Sequence, residues 1–154
     1  MEGRYYQYSR PEIVLARCER CGKPIHFKTT SLPTHELDER SAGYLVLRGE
    51  VCGIIKGRGA CSECGYVARK VSWPDAAYLQ VLVPEGVVWA WNEDYVAALE
   101  ARVRGDKVTL RHLLMHSWNL ARFISRLPKY AVLRKNRSRI LSGVEGLRNL
   151  RSPR

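Results

Sequence analysis

Up to Trp91 the chain is written in short apolar runs and alternations, and beyond it apolar residues recur every three or four positions. Residues 4–17 alternate loosely and end in Ile13-Val14-Leu15-Ala16, a strand whose start Pro11 confines to an edge or a bend. Ile25-His26-Phe27-Lys28-Thr29 alternates apolar and polar, as a strand with one buried face does. Tyr44-Leu45-Val46-Leu47 and Val51-Cys52-Gly53-Ile54-Ile55 are short apolar runs, and Gly57-Arg58-Gly59-Ala60 reads as a turn. Tyr66 to Val71 is the next strand. Tyr78–Val83 and Val87–Trp91 then flank Pro84-Glu85-Gly86, turn chemistry at hairpin length. Val87, Trp89 and Trp91 share one face of the second arm, and the hairpin is expected to extend the preceding sheet.

Helix begins after Asn92, a good N-cap, with Glu93 and Asp94 at the positive end of the dipole and Gly105 as the stop. A second helix is expected from about Thr109 to Leu127. Its stripe is Leu110, Leu113, Leu114, Trp118, Ala121, Ile124 and Leu127, which puts Trp118 in the core, and Pro128 ends it. Asn136 can cap a third helix along Ile140, Leu141, Val144, Leu147 and Leu150, weakened by Gly143 and Gly146 at about 1 kcal/mol each. The fold class is therefore α+β: a mostly antiparallel sheet module over residues 1–91 and a helical region over 92–154.

Two motifs punctuate the sheet half. Cys18-Glu19-Arg20-Cys21-Gly22 and Cys61-Ser62-Glu63-Cys64-Gly65 are matching C-x-x-C-G units, with 39 residues between Cys21 and Cys61. Each can offer two thiolates from one tight turn, and four thiolates fill the tetrahedron of a zinc ion. The glycine after each pair suits a turn that needs positive φ. One C-x-x-C fits a redox pair; two matching ones read as one closed structural zinc site with ligands Cys18, Cys21, Cys61 and Cys64. A closed site leaves no position for water, so a catalytic metal is not expected. Cys52 is the spare, read as a buried structural cysteine. An odd cysteine count with no secretory signal and no transmembrane run suits a reducing cytoplasm.

Charge changes the picture most. Residues 1–101 carry 12 Lys and Arg against 13 Asp and Glu, whereas residues 102–154 carry 14 against two, Asp106 and Glu145. All of the net +11 is thus in the helical part, which points to a polyanionic partner. The candidate phosphate contacts are Arg111, Arg122, Arg126, Lys129, Arg134, Lys135, Arg137 and Arg139. With so few interspersed carboxylates their repulsion is uncompensated, which favours nucleic acid over a merely solvated face. Other chemistry is weaker. His112 and His116 share a helix face but lack a third ligand; His26 and His35 fit strand and loop roles. Glu36, Asp38 and Glu39 form a solvated acidic loop, and no nucleophile elbow or phosphate-binding glycine loop appears.

The knuckles Cys-Glu-Arg-Cys-Gly-Lys-Pro-Ile and Cys-Ser-Glu-Cys-Gly-Tyr-Val resemble the zinc-ribbon class. The run Trp73-Pro74-Asp75 with Trp89-Ala90-Trp91-Asn92 is similar to small, uncharacterised bacterial zinc-ribbon proteins. The resemblance covers residues 18–95, implies a ribbon sheet around one structural Zn2+, and brings no activity with it. The expected function is non-catalytic binding of DNA or RNA, as an accessory subunit with protein partners in a larger complex and no membrane. The alternatives are an adaptor docking its basic helices on an acidic protein and, more weakly, a metal-dependent nuclease using the acidic loop.

Overall fold

Each cysteine pair sits at the tip of a β-hairpin, and the two hairpins lie side by side. The computed structural model describes residues 10–29 and 53–151. Strands β1 (Ile13–Arg17), β2 (Pro24–Thr29), β3 (Gly53–Ala60) and β4 (Val67–Trp73) form one antiparallel sheet in chain order. The alternation in β2 holds: Ile25, Phe27 and Thr29 are buried while His26 and Lys28 face out. The acidic loop with His35, the run from Tyr44 to Leu47, and Cys52 lie outside the described residues.

The Gly57-Arg58-Gly59 segment is not a turn. It is part of β3, with a bulge between Lys56 and Gly59 where the register to β4 shifts. The glycines serve the contact between hairpins instead. β2 pairs with β3 at Lys28–Arg58 and Thr29–Gly57. A Cβ on Gly57 would collide with the Lys28 carbonyl and stand 2.6 Å from the Phe27 ring, and one on Gly59 would stand 2.6 Å from Ile25. Close backbone approach, rather than chain reversal, explains both glycines.

The hairpin of β5 (Leu79–Val83) and β6 (Gly86–Ala90) forms its own two-stranded sheet rather than extending the first. It still closes the free edge of β1. The Leu15 amide donates to Trp91 O at 2.7 Å, the Tyr78 amide to Leu15 O at 3.1 Å, and the Arg17 amide to Ala76 O at 2.7 Å. Among the described residues one isolated bridge, Ala16 to Ala77, ties β1 to the segment that leads into β5. The outer edge of β1 is thereby satisfied, removing a site for unwanted strand pairing.

Helix α1 (Glu93–Arg104) starts and stops as expected. Asn92 Oδ1 accepts from the amides of Asp94 and Tyr95, and Gly105 closes the helix at φ 73°. The expected single helix over 109–127 is two, α2 (Lys107–Met115) and α3 (Trp118–Ser125). Asp106 caps the first, and Ser117 caps the second by accepting from the Leu120 amide at 3.2 Å. The break rotates the stripe. Leu120 and Phe123 become the buried positions of α3, and Trp118 is 73% exposed. A short α4 (Lys129–Val132) and a 3-10 turn (Arg134–Asn136) lead into α5 (Arg137–Arg151). On α5, Ile140 and Val144 are buried as the periodicity predicts. Gly143 proves to be a packing position, because a Cβ there would run into Val81 on β5.

An aromatic cluster ties sheet to helices. Trp73 stacks on Trp91 with centroids 4.7 Å apart, and Trp89 meets both rings edge-on. Phe123 of α3 then bridges Trp89 to Tyr95 of α1. The hairpin tip is held separately. Asn136, 3% exposed, donates from Nδ2 to Glu85 Oε2 at 2.8 Å and to Tyr130 O at 2.9 Å. Tyr130 in turn donates its hydroxyl to Val87 O at 3.0 Å. Asn136→Ala is expected to destabilise by about 1–3 kcal/mol, since it removes a buried amide that serves both the Tyr130 carbonyl and Glu85. Urea unfolding measures this, and an unchanged midpoint would show the tip is not held this way.

Candidate metal centre

The two knuckles have the same backbone. In the first, Gly22 N donates to Cys18 O at 2.9 Å and Cys18 N to Lys23 O at 2.8 Å. In the second, Gly65 N donates to Cys61 O at 2.9 Å and Cys61 N to Tyr66 O at 2.8 Å. Gly22 and Gly65 both sit at φ 77°, with nothing within 4 Å of where a Cβ would go. Conformation alone, not space, calls for glycine there. The hairpins bring these turns tip to tip, so residues 40 and 46 positions apart meet: Cys21 Sγ lies 3.4 Å from Cys61 Sγ and Cys18 Sγ 3.6 Å from Cys64 Sγ.

All four sulfurs lie within 4.8 Å of one another. A metal about 2.3 Å from each corner of a regular sulfur tetrahedron implies S···S edges of roughly 3.8 Å. The two closest contacts, 3.4 and 3.6 Å, fall slightly inside that value. The four cysteines are thus arranged to bind one metal ion, and among the described residues no other group of three or more His, Cys, Asp or Glu is so placed. Cys18 and Cys61 are buried, Cys64 is half-buried and Cys21 is exposed, so the ion would be held just below the surface. Four ligands close the coordination sphere. Such a centre builds structure rather than activating water.

The electrostatics point the same way. Burial pushes the Cys18 thiol up, but the amides of Cys21 and Arg20 and the neighbouring thiols outweigh it and bring the group down to about 7. The amides of Cys64 and Glu63, opposed by burial, lower Cys61 likewise. For Cys21 the Lys23 amide pulls down, yet burial and the three other thiols push it up to about 12. Cys64 is also raised: the Tyr66 amide lowers it, while burial and the Cys18 and Cys61 thiols prevail. Without a cation the quartet shares protons, because four thiolates this close repel. A divalent ion removes that conflict and lets all four ionise. Outside the sulfurs, Tyr66 donates to Glu19 Oε2 at 3.0 Å and Arg20 lies 5.6 Å over the Tyr66 ring, bracing one knuckle against the other.

The described histidines take no part. His26 is exposed on β2, and His112 and His116 face each other on α2 with ring centroids 5.4 Å apart. The basic residues fall into two sets. Lys135 pairs with Glu85, and Arg137 donates to Arg104 O at 2.6 Å, satisfying a carbonyl at the end of α1. Both brace the fold, although both remain exposed. Arg111, Arg126, Lys129, Arg134 and Arg139 are exposed along α2 to α5, and Arg122 lies over the Trp118 ring at 5.2 Å. Sequence periodicity missed one feature here, the exposure of Trp118, which joins Val108 and Met115 in facing water. Ser117, a cap residue inside an apparently continuous stripe, was the available signal. No helix among the described residues is long and apolar enough to cross a membrane. Comparison with protein-family models, curated proteins and solved structures returns no match.

Proposed function

We propose that this chain is a non-catalytic, zinc-containing nucleic-acid-binding protein, an accessory subunit of a larger nucleoprotein complex. Zinc is favoured for the metal because an all-thiolate, four-coordinate, closed site is the usual structural zinc arrangement. Elemental analysis of the purified chain should return one zinc per chain; iron in its place would overturn that part. The chain would work in a reducing compartment, the cytoplasm, where the thiols stay available.

The observation that carries the nucleic-acid reading is the helical surface itself. Between Arg102 and Arg154 only two carboxylates oppose 14 cations, and one of the two, Asp106, is engaged as the α2 cap. Exposed cations on α2 to α5 can neutralise phosphates, and each contact releases counterions. If about five phosphates are engaged, affinity should fall roughly 100- to 1,000-fold between about 50 and 200 mM salt. Fluorescence anisotropy with labelled DNA and RNA across that range checks this. Absence of binding at low salt removes the proposal, and partner capture that survives nuclease digestion would favour the adaptor instead.

A further inference from the structure

Helix α2 buries none of its residues. Val108, Arg111, His112 and Met115 recur at i, i+3, i+4 and i+7, so they form one helix face. With Lys107 they line a shallow hollow of about 320 Å³, at the small end of the range for ligand sites. Val108 is 83% exposed and Met115 73%. Just beyond the helix break, Trp118 is 73% exposed and carries the Arg122 guanidinium 5.2 Å from its ring centroid. The other three tryptophans are at most 3% exposed. A ring this large left in water is unusual unless something lies on it, and Val108 and Met115 of the preceding helix also face water.

Charge says what kind of partner. From Lys107 to Ser125 there is no Asp or Glu, while Lys107, Arg111 and Arg122 stand among the exposed apolar groups. A helical protein partner would want a continuous apolar groove, which three side chains interleaved with cations do not make. Flat aromatic and guanidinium planes surrounded by cations are what a single strand uses: bases stack on the planes and phosphates meet the charges. A duplex keeps its base faces covered and cannot use the ring in this way.

We infer that the α2–α3 face binds single-stranded nucleic acid, with a base stacked on Trp118, a flanking phosphate met by Arg122, and phosphates further along the strand met by Arg111 and Lys107. This rests on the nucleic-acid reading above and narrows it to one surface and one form of ligand. The side chains named are exposed or half-buried, so they can be changed with little effect on folding.

The test compares the full chain with Trp118→Ala and Arg111→Ala variants, on labelled oligo(dT) and oligo(rU) of about 12 nucleotides and a duplex of equal length. Single strands should bind more tightly than duplex to the unmodified chain. They should also quench tryptophan emission, because the one exposed ring is the one covered. Trp118→Ala should weaken single-strand binding roughly 5- to 100-fold, abolish the quenching and leave duplex binding as it was. Arg111→Ala should weaken single-strand binding and flatten its salt dependence by about one counterion. Circular dichroism and urea midpoints confirm that both variants fold. If single strands bind equally to Trp118→Ala, or if that change weakens duplex and single strand alike, the stacking inference falls while the broader proposal stands. If nothing binds at low salt, both fall.

Discussion

Cys61→Ser is expected to strip the metal from the protein and unfold its sheet. The side chain is 2% exposed and its sulfur stands 3.4 Å from that of Cys21 on the other hairpin, so one substitution opens the link between the two tips. Structural zinc sites contribute about 10–16 kcal/mol in small peptides, as much as the whole stability of an ordinary domain. Among the described residues β2 and β3 meet through two paired positions, Lys28–Arg58 and Thr29–Gly57. Loss of the ion should therefore remove cooperative melting of the sheet. Cys18→Ser should behave in the same way, and a strong chelator should reproduce both. Cys52→Ser should keep the full metal content. The readouts are metal per chain by elemental analysis and the thermal transition. Retention of both in Cys18→Ser and Cys61→Ser would end the assignment.

Where the sequence code is local, reading it succeeded. The knuckles follow from C-x-x-C-G because the turn, its positive φ and its amide donors all lie within six residues. The ends of α1 follow from Asn92 and Gly105 for the same reason. Errors arose where a residue's role depends on distant chain. Gly57, Gly59 and Gly143 look like turn or weakening residues in isolation, but each admits a neighbour from another element: β2 for the first two and Val81 for the third. Alternation puts Val87, Trp89 and Trp91 on one face of the strand, yet Val88 and Ala90 from the other face are buried along with Trp89 and Trp91. β6 has its neighbours on both sides, so alternation carries no information there.

The helix break is a different kind of miss. Apolar residues keep a three-to-four spacing straight through His116 and Ser117, so the period does not register that the helix axis changes direction. Once Ser117 caps a new helix, the inward face of α3 is set by Leu120 and Phe123, whose ring touches Trp89 and Tyr95. Trp118 is then the first residue of that helix, on its outer side. Much of the metal site was legible and much of the candidate nucleic-acid surface was not, because a thiolate quartet is a local motif met twice whereas a surface is a matter of which way a helix turns.

That difference is open to measurement on two tryptophans, Trp91 and Trp118. Trp91 is 1% exposed, stacked on Trp73 at 4.7 Å and packed edge-on against Trp89 at 4.6 Å. Its own carbonyl anchors the Leu15 amide. Truncation to alanine leaves a void in the cluster that joins sheet to helices, where relaxation is limited by rings on several sides, and should cost about 3–5 kcal/mol. Trp118 loses only an exposed contact with Arg122, so Trp118→Ala should stay within about 0.5 kcal/mol of the unmodified chain. Urea unfolding followed by far-ultraviolet circular dichroism gives both numbers without relying on the fluorescence that the substitutions alter. A near-equal cost for the two would mean that α3 is rotated from the orientation described, with Trp118 inward, and the surface assigned to a single strand would then have no ring to offer.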